Sequence, residues 1–131
     1  MCIFCKIINK EIPSNIIYED EHTIAFLDIE ANSYGHTLVI PKKHIVNTLD
    51  CDATTFSHVM NSLHKIVHHY KDVLNIESVN IINNSGEFAH QTVYHLHYHI
   101  IPRYNEEETR RLDEIKLNFQ DVLSKLKLNN K

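Results

Sequence analysis

The segment His95-Leu96-His97-Tyr98-His99 carries a histidine at every second position. Alternate side chains of a β-strand point to the same face of the sheet, so the three imidazoles are predicted to share one face. The residues between them are mainly apolar, as expected where the opposite face packs on a core. We therefore interpret this segment as part of a strand with one chemical face and one structural face.

The hydrophobic pattern predicts the remaining elements of an α+β domain. Apolar positions from Ala53 to about Leu74 follow the 3.6-residue period of a helix with one buried face, and Asp50 or Asp52 is its expected N-cap. Short runs rich in β-branched and aromatic residues predict strands. The predicted elements are one or two helical turns over residues 3–9, a hairpin of strands 16–19 and 23–28, a strand over 36–41 and an antiparallel pair over 78–84 and 93–103.

Composition narrows the class of protein. The net charge of -4 and the pI near 6.2 argue against binding to nucleic acid, because proteins that grip its backbone usually carry a basic surface. No run is long and apolar enough to span a membrane, and the first residues lack a signal-peptide layout. Three cysteines are too few for a disulfide framework. We expect a cytoplasmic protein with reduced thiols.

The chain changes character after Tyr104. A charged stretch is followed by apolar residues at three- and four-residue spacing, which predicts an amphipathic helix over residues 109–128. We accordingly divide the chain into a main domain over 1–104 and a helical extension over 105–131. The extension needs an apolar surface to cover, either on its own domain or on a dimer partner, and both alternatives stay open.

Cys2 and Cys5 have the two-residue gap that allows two thiolates to bind one tetrahedral zinc ion. A structural zinc needs two more ligands, and the chain has no second Cys-x-x-Cys pair. The missing ligands are therefore expected to be histidines, and His44 and His95 are the candidates. The alternative is a buried pair of small apolar side chains, a common fate of cysteine.

Several motifs together resemble the histidine triad (HIT) family in its Hint-like branch. They are the Cys2-x-x-Cys5 pair, the block GHTLVIPKKH over residues 35–44, Asn84, Gln91 and HLHYHII over residues 95–101. The resemblance runs from Cys2 to Arg103. It implies a five-stranded antiparallel sheet with one long helix, a homodimer that joins two sheets into one, and a bacterial-type structural zinc held by Cys2, Cys5, His44 and His95.

The same resemblance implies a hydrolase or transferase of purine nucleotides. Cleavage would occur at the α-phosphorus of an AMP-containing substrate, such as a nucleoside phosphoramidate or an adenylate, through a nucleotidyl-His97 intermediate. A neutral imidazole attacks phosphorus well when its other nitrogen donates to an acceptor, for which we expect a backbone carbonyl near His95. The implied catalytic residues are His36, Thr92, His97 and His99, and the implied nucleotide contacts are Phe4, Ile7, Phe26, Asp28, Asn84, Gln91, His97 and His99.

Other functions stay open from the sequence. The enzyme could instead hydrolyse dinucleoside polyphosphates, or the protein could be a nucleotide-binding scaffold with incidental turnover. In a third alternative the three triad histidines hold a catalytic zinc whose bound water is the nucleophile. After Arg103 the chain lacks glycine and tryptophan, whereas relatives often carry a glycine-rich, tryptophan-containing tail. The substrate preference of those relatives is therefore not assigned to this chain. We interpret the remaining histidines as solvated.

Overall fold

The computed structural model describes residues 2–104 and 118–128. A five-stranded antiparallel sheet organises the fold, with strand order β1-β2-β3-β5-β4. The strands are β1 (Ile16–Glu19), β2 (Thr23–Leu27), β3 (Thr37–Pro41), β4 (Ser78–Ile82) and β5 (Tyr98–Arg103). This arrangement confirms the α+β class and the antiparallel sheet that the sequence predicts.

Three α-helices accompany the sheet in the described residues, namely α1 (Ile3–Ile8), α2 (Ala53–Leu74) and α3 (Phe119–Leu126). Of the two expected caps of α2, Asp52 is the N-cap, and its side chain accepts from the backbone N–H of Thr55. Helix α2 ends at Asn75, which adopts the left-handed conformation common after a helix. Within the described residues, no helix has the length and apolar character to cross a membrane.

Helix α2 covers one face of the sheet and forms the larger core. Its buried stripe packs against the side chains of alternate strand residues, which point to this face. The sheet contributes Val39 and Ile100 to this core, and the helix contributes Ile66 and Tyr70. The buried Tyr70 hydroxyl is paired with the Thr37 hydroxyl at 2.6 Å, so the polar atom of this large side chain is satisfied.

Helix α1 covers part of the opposite face and leaves the rest for the candidate site. Phe4 and Ile7 from α1 pack on Phe26 of β2 and Leu38 of β3. The pairing of Leu38 with His99 brings a triad residue onto this same face. The face under α1 is therefore apolar at one end and carries imidazoles at the other.

Strand β5 begins at Tyr98, so the strand predicted over residues 93–103 is too long at its N-terminal end. His95 and His97 lie in an irregular segment before the strand. There the backbone N–H of Leu96 donates to the carbonyl of Ile45 at 2.7 Å, and the Asn83 side chain donates to the carbonyl of His97 at 3.0 Å. Hydrogen bonds to a loop and to a side chain thus replace the regular hydrogen bonds of the sheet before Tyr98.

Helix α3 packs on its own chain. Its buried residues Val122 and Leu126 join the core under α2, and the Leu128 N–H donates to the carbonyl of Ile17 at 2.8 Å. The His69 side chain lies 3.1 Å from the carbonyl of Leu126. The predicted helix over 109–128 is observed only from Phe119, because residues 109–117 lie outside the described part of the chain.

Candidate active site

A cavity of about 400 Å³ opens beside α1 on the imidazole-bearing face of the sheet. This volume lies within the range of pockets that hold small molecules. The cavity is lined mainly by apolar side chains, with polar groups at one end. Its lining residues are Ile3, Phe4, Ile7, Ile12, Pro13, Ser14, Phe26, Leu27, Asp28, Ile29, Glu30, Leu38, Thr92, Val93, His97 and His99.

Asp28 and His36 flank the connection between β2 and β3. The Asp28 N–H donates to the carbonyl of His36 at 2.9 Å, which extends the ladder by one pair beyond Leu27 and Thr37. Because the two residues are paired, their side chains lie on one face, and Asp28 Oδ2 is 3.4 Å from His36 Nε2. Gly35 supplies the left-handed conformation (φ +90°) that the turn before His36 requires.

His97 is held in one orientation by its own backbone neighbourhood. Its Nδ1 lies 2.8 Å from the carbonyl of His95, and a carbonyl can only accept, so the proton is on Nδ1. This is the acceptor expected from the sequence. The ring packs edge-on against Phe4, with centroids 5.3 Å apart. The His97 ring lines the cavity, and its Nε2 retains the lone pair of a nucleophile.

His99 lies beside His97, with ring centroids 5.1 Å apart, and it also lines the cavity. Its Nδ1 is 3.0 Å from Nε2 of the buried His36. Burial, together with the neighbouring imidazoles of His97 and His36, lowers the pKa of His99 to about 4. Burial also lowers the pKa of His36, against the opposing effect of Asp28. Both rings are therefore neutral near pH 7.

Cys2, Cys5, His44 and His95 form a second cluster behind the cavity, and their ligand atoms all lie within 4.8 Å of one another. The Nδ1 of His95 is 3.4 Å from Cys2 Sγ and 3.6 Å from Cys5 Sγ, and the Nδ1 of His44 is 3.2 Å from Cys5 Sγ. Tetrahedral zinc with two such ligands separates them by roughly 3.5 Å. The cluster therefore has the donor set and the spacing of a metal site.

His95 connects this cluster to the cavity. Its Nε2 lies 2.8 Å from the carbonyl of Pro41, which fixes the proton there and leaves Nδ1 free toward the two sulfur atoms. Burial is the main cause of the lowered pKa of His95, which keeps the ring in the neutral form that binds metal. The same residue presents its backbone carbonyl to His97.

The three triad rings do not converge on one metal position. The Nδ1 of His95 faces the cysteines, the Nδ1 of His97 faces a carbonyl and the Nδ1 of His99 faces His36. This geometry disfavours the alternative in which the triad holds a catalytic zinc. Asp28, His36 and His99 do form a compact group, with ligand atoms within 4.8 Å of one another.

The comparisons with known proteins agree with this geometry. The HIT domain family matches residues 9–106. The chain belongs to the HIT domain family. An uncharacterised HIT-like protein of Methanocaldococcus jannaschii is 44% identical over 129 residues, covering 97% of this chain and 99% of the relative. The adenosine 5'-monophosphoramidase of Schizosaccharomyces pombe is 35% identical over 135 residues, covering 96% and 98%.

A solved structure of a relative extends the likeness to three dimensions. The zinc-bound histidine triad family protein of Mycobacterium smegmatis superimposes with a TM-score of 0.77 at 34% identity, covering 95% of this chain and 94% of that one. Its zinc is a property of that protein. The likeness shows that this HIT domain has the same arrangement of sheet and helices over nearly its whole length.

Two predicted nucleotide contacts of this HIT domain lie away from the cavity lining. Gln91 is buried, and its side chain bonds to the carbonyls of Val46 and Val93 and to the N–H of Gly86, so it braces the loops. Asn84 is half-buried after β4 and is also absent from the cavity lining. Phe4, Ile7, Phe26, Asp28, Thr92, His97 and His99 do line it, and His36 lies directly behind His99.

Sequence reasoning missed several residues that shape the site. Ile12 and Ser14 lie in a segment without regular structure before β1, and they line the cavity. Asn83, the neighbour of the predicted Asn84, holds the carbonyl of His97. The backbone N–H of Asn32 donates to His36 Nδ1 at 2.9 Å. Loop contacts of this kind leave no periodic signal in a sequence.

The histidines outside the site only partly match the expectation of solvated side chains. His64 and His68 are exposed on α2, as expected. His58 is half-buried and stacks on His22 with ring centroids 3.7 Å apart, and His69 is half-buried beside α3. Contacts with neighbouring elements, which the helical period of α2 does not reveal, account for the difference.

Proposed function

We propose that this HIT domain is a nucleotide hydrolase that cleaves an AMP-containing substrate at the α-phosphorus, with His97 as the nucleophile. The observation that carries the proposal is the orientation of His97, whose Nδ1 is occupied by the carbonyl of His95 while the ring lines a cavity. The similarity to the adenosine 5'-monophosphoramidase of Schizosaccharomyces pombe supports a nucleoside phosphoramidate as the substrate type.

The reaction proceeds in two displacements at phosphorus. His97 Nε2 attacks, the bond between the phosphorus and the leaving amine breaks, and the nucleotidyl group is carried on His97. The His95 carbonyl stabilises the positive charge that develops on the imidazole. Water then attacks the same phosphorus, releases AMP and returns the ring to its neutral form. His99 and Thr92, which share the cavity, donate hydrogen bonds to the phosphoryl oxygens, and the Thr92 hydroxyl relays a proton from water to the departing amine.

The apolar end of the cavity fits the base of the nucleotide. Phe4 and Phe26 contact each other edge-on at 5.5 Å and form one wall with Ile7. Asp28, at the polar end, is placed to accept from ribose hydroxyls. This assignment leaves Gln91 with an indirect role, because its amide positions the loop that carries Thr92.

Trapping the intermediate tests the proposal. The protein is incubated in parallel with an adenosine phosphoramidate and with a diadenosine tetraphosphate, quenched, and mapped by mass spectrometry. We expect a nucleotidyl adduct on His97 and faster turnover of the phosphoramidate. Faster turnover of the tetraphosphate would favour the polyphosphate hydrolase. Tight nucleotide binding without turnover would favour a scaffold, and an adduct on another residue would contradict the assignment.

We further propose that Cys2, Cys5, His44 and His95 hold a structural zinc ion. The support is the donor set, its spacing and the carbonyl of Pro41 on the far side of His95. Cys5→Ser should lose zinc, as measured by metal analysis of the purified protein. Cys51→Ser is the matched control, because Cys51 lies outside the cluster. Equal zinc contents in the two variants would contradict the site.

We also propose that two copies pair through β4. This strand lies at the edge of the sheet, and its Ile81 and Ile82 are 46% and 37% exposed. An apolar edge strand with open backbone groups favours pairing with another strand. A second copy would extend the sheet across the pair. We expect a dimer in analytical ultracentrifugation and a monomer for Ile81→Lys, and a monomeric unmodified protein would contradict this.

A further inference from the structure

The tautomer of His36 is fixed by a backbone group outside the triad. The N–H of Asn32 donates to His36 Nδ1 at 2.9 Å. A backbone amide has no lone pair to accept with, so Nδ1 must be the unprotonated nitrogen. In the neutral ring, which the burial of His36 favours, the single proton then lies on Nε2.

This proton determines the tautomer of His99 in turn. His36 Nε2 is 3.0 Å from His99 Nδ1 and 3.4 Å from Asp28 Oδ2, so the shorter contact is to the second imidazole. A protonated Nε2 requires an acceptor at the other end of that contact. His99 Nδ1 is therefore unprotonated, and the proton of His99 lies on its own Nε2, on the opposite edge of the ring.

The opposite tautomer of His36 would reverse the direction of the hydrogen bond between His36 and His99. With Nδ1 protonated, His36 would present a lone pair to His99, and His99 would then hold its proton on Nδ1. The Nε2 of His99 would then be an acceptor in the cavity, and its lone pair would repel phosphoryl oxygens. Donors aimed at these oxygens stabilise the charge that builds up during phosphoryl transfer. One backbone amide thus decides whether the cavity gains or loses a donor.

We propose that the backbone N–H of Asn32 is a positioning group for the reaction, because it sets His36 and, through it, His99 to present an N–H donor to the nucleotide phosphate. The inference rests on the proposed function. It also explains why Asp28, His36 and His99 are poorly suited to hold a metal ion, despite their spacing. The His36 nitrogen that would bind the ion carries a proton that the Asn32 contact prevents from moving to Nδ1.

Proline substitution removes this N–H without altering a triad side chain. Asn32→Pro is compared with Asn32→Ala, which keeps the N–H and removes only an exposed side chain. Ala31→Pro is a second control, since it places the same rigid ring one residue earlier. We expect kcat to fall about 10- to 100-fold in Asn32→Pro, less than the roughly 10²- to 10³-fold cost of deleting a donor outright because the tautomers then mix, while KM changes less than about threefold. Both controls should stay within about twofold of the unmodified protein.

Long-range ¹H–¹⁵N spectra of the substrate-free protein test the same inference without catalysis. His36 and His99 should each carry the proton on Nε2 in the unmodified protein and in Asn32→Ala. In Asn32→Pro the signals should show a mixture of tautomers. If Asn32→Pro does not fold, the spectra of the unmodified protein and Asn32→Ala decide alone.

A proton on Nδ1 of His36 or His99 in the unmodified protein would overturn the inference, as would full activity and unchanged tautomers in Asn32→Pro. Failure of the proposed function would look different. In that case the spectra would still show the protons of His36 and His99 on Nε2, as the inference requires, but neither adenosine substrate would be turned over.

Discussion

The two faces of the sheet are built from the same strands but use their side chains differently. On the α2 face, Val39 and Ile100 are fully buried under one long helix, and the hydroxyls of Thr37 and Tyr70 are paired with each other. On the α1 face, the neighbouring positions Leu38 and His99 line a cavity. Alternation along a strand thus separates a stabilising surface from a chemical one at single-residue spacing. Substitutions on the two faces should affect different measurements.

The largest expected effect is on the chemical face. His97→Asn retains a donor for the carbonyl of His95 but removes the nucleophilic nitrogen. We expect kcat for the phosphoramidate to fall at least about 10³-fold, with zinc content and thermal unfolding close to those of the unmodified protein. Measurable burst formation of a nucleotidyl adduct in this variant would contradict the role of His97.

Ile66→Ala tests the structural face. Ile66 is fully buried on α2, so its truncation leaves a cavity in the larger core. The free energy of unfolding should fall by about 2 to 5 kcal/mol in chemical denaturation. The kcat at a temperature where the variant is folded should change less than about twofold. A specific loss of kcat would show that the two faces are not independent.

The pH dependence provides a third comparison. The lowered pKa values of His36 and His99 mean that the unfolded chain binds protons that the folded chain does not, once the pH falls below about 6.5. Stability, measured as the free energy of unfolding in denaturant at each pH, should therefore decrease from about pH 6.5 toward pH 4. A free energy of unfolding that stays constant from about pH 6.5 to about pH 4 would contradict neutral His36 and His99 rings in the folded protein. His99→Gln should flatten the stability curve.

The smallest expected effect is for a histidine in solvent. His64 is exposed on α2, on the far side of the sheet from the cavity. His64→Gln should change the free energy of unfolding by less than about 0.5 kcal/mol and leave kcat unchanged. A larger change in either quantity would show that the contact of this ring with His68, at a centroid distance of 4.3 Å, contributes more than its exposure indicates.

Much of this division is predictable from the sequence because it follows from local periodicity. Phe26 and Asp28 are two positions apart, as are His36 and Leu38, and this spacing is enough to place each pair on a common face. The buried stripe of α2 is predictable for the same reason, and the chemistry of a nucleophilic imidazole indicates that the His97 ring needs a carbonyl acceptor. Each of these features depends on residues close together in the chain.

The features that sequence reasoning missed depend on tertiary contacts. Strand β5 starts late because the Leu96 N–H bonds to the carbonyl of Ile45 instead of to a neighbouring strand. The two residues lie 51 positions apart (96 minus 45), so no local pattern encodes this hydrogen bond. The same is true of the Asn32 N–H and of the cavity wall at Ile12 and Ser14. The adjacent asparagines at 83 and 84 give no sign of which side chain turns inward, so the sequence does not distinguish them.

Gly35 links the C-terminal segment to the chemistry. A methyl group at this position would lie 3.1 Å from the Leu126 Cδ1 atom, so helix α3 closes against the backbone just before His36. Removing α3 would therefore open a gap beside the turn that aims this histidine. Trimming the polypeptide after the sheet should loosen the His36 imidazole through this turn, and attaching a bulkier tail should disturb the same turn.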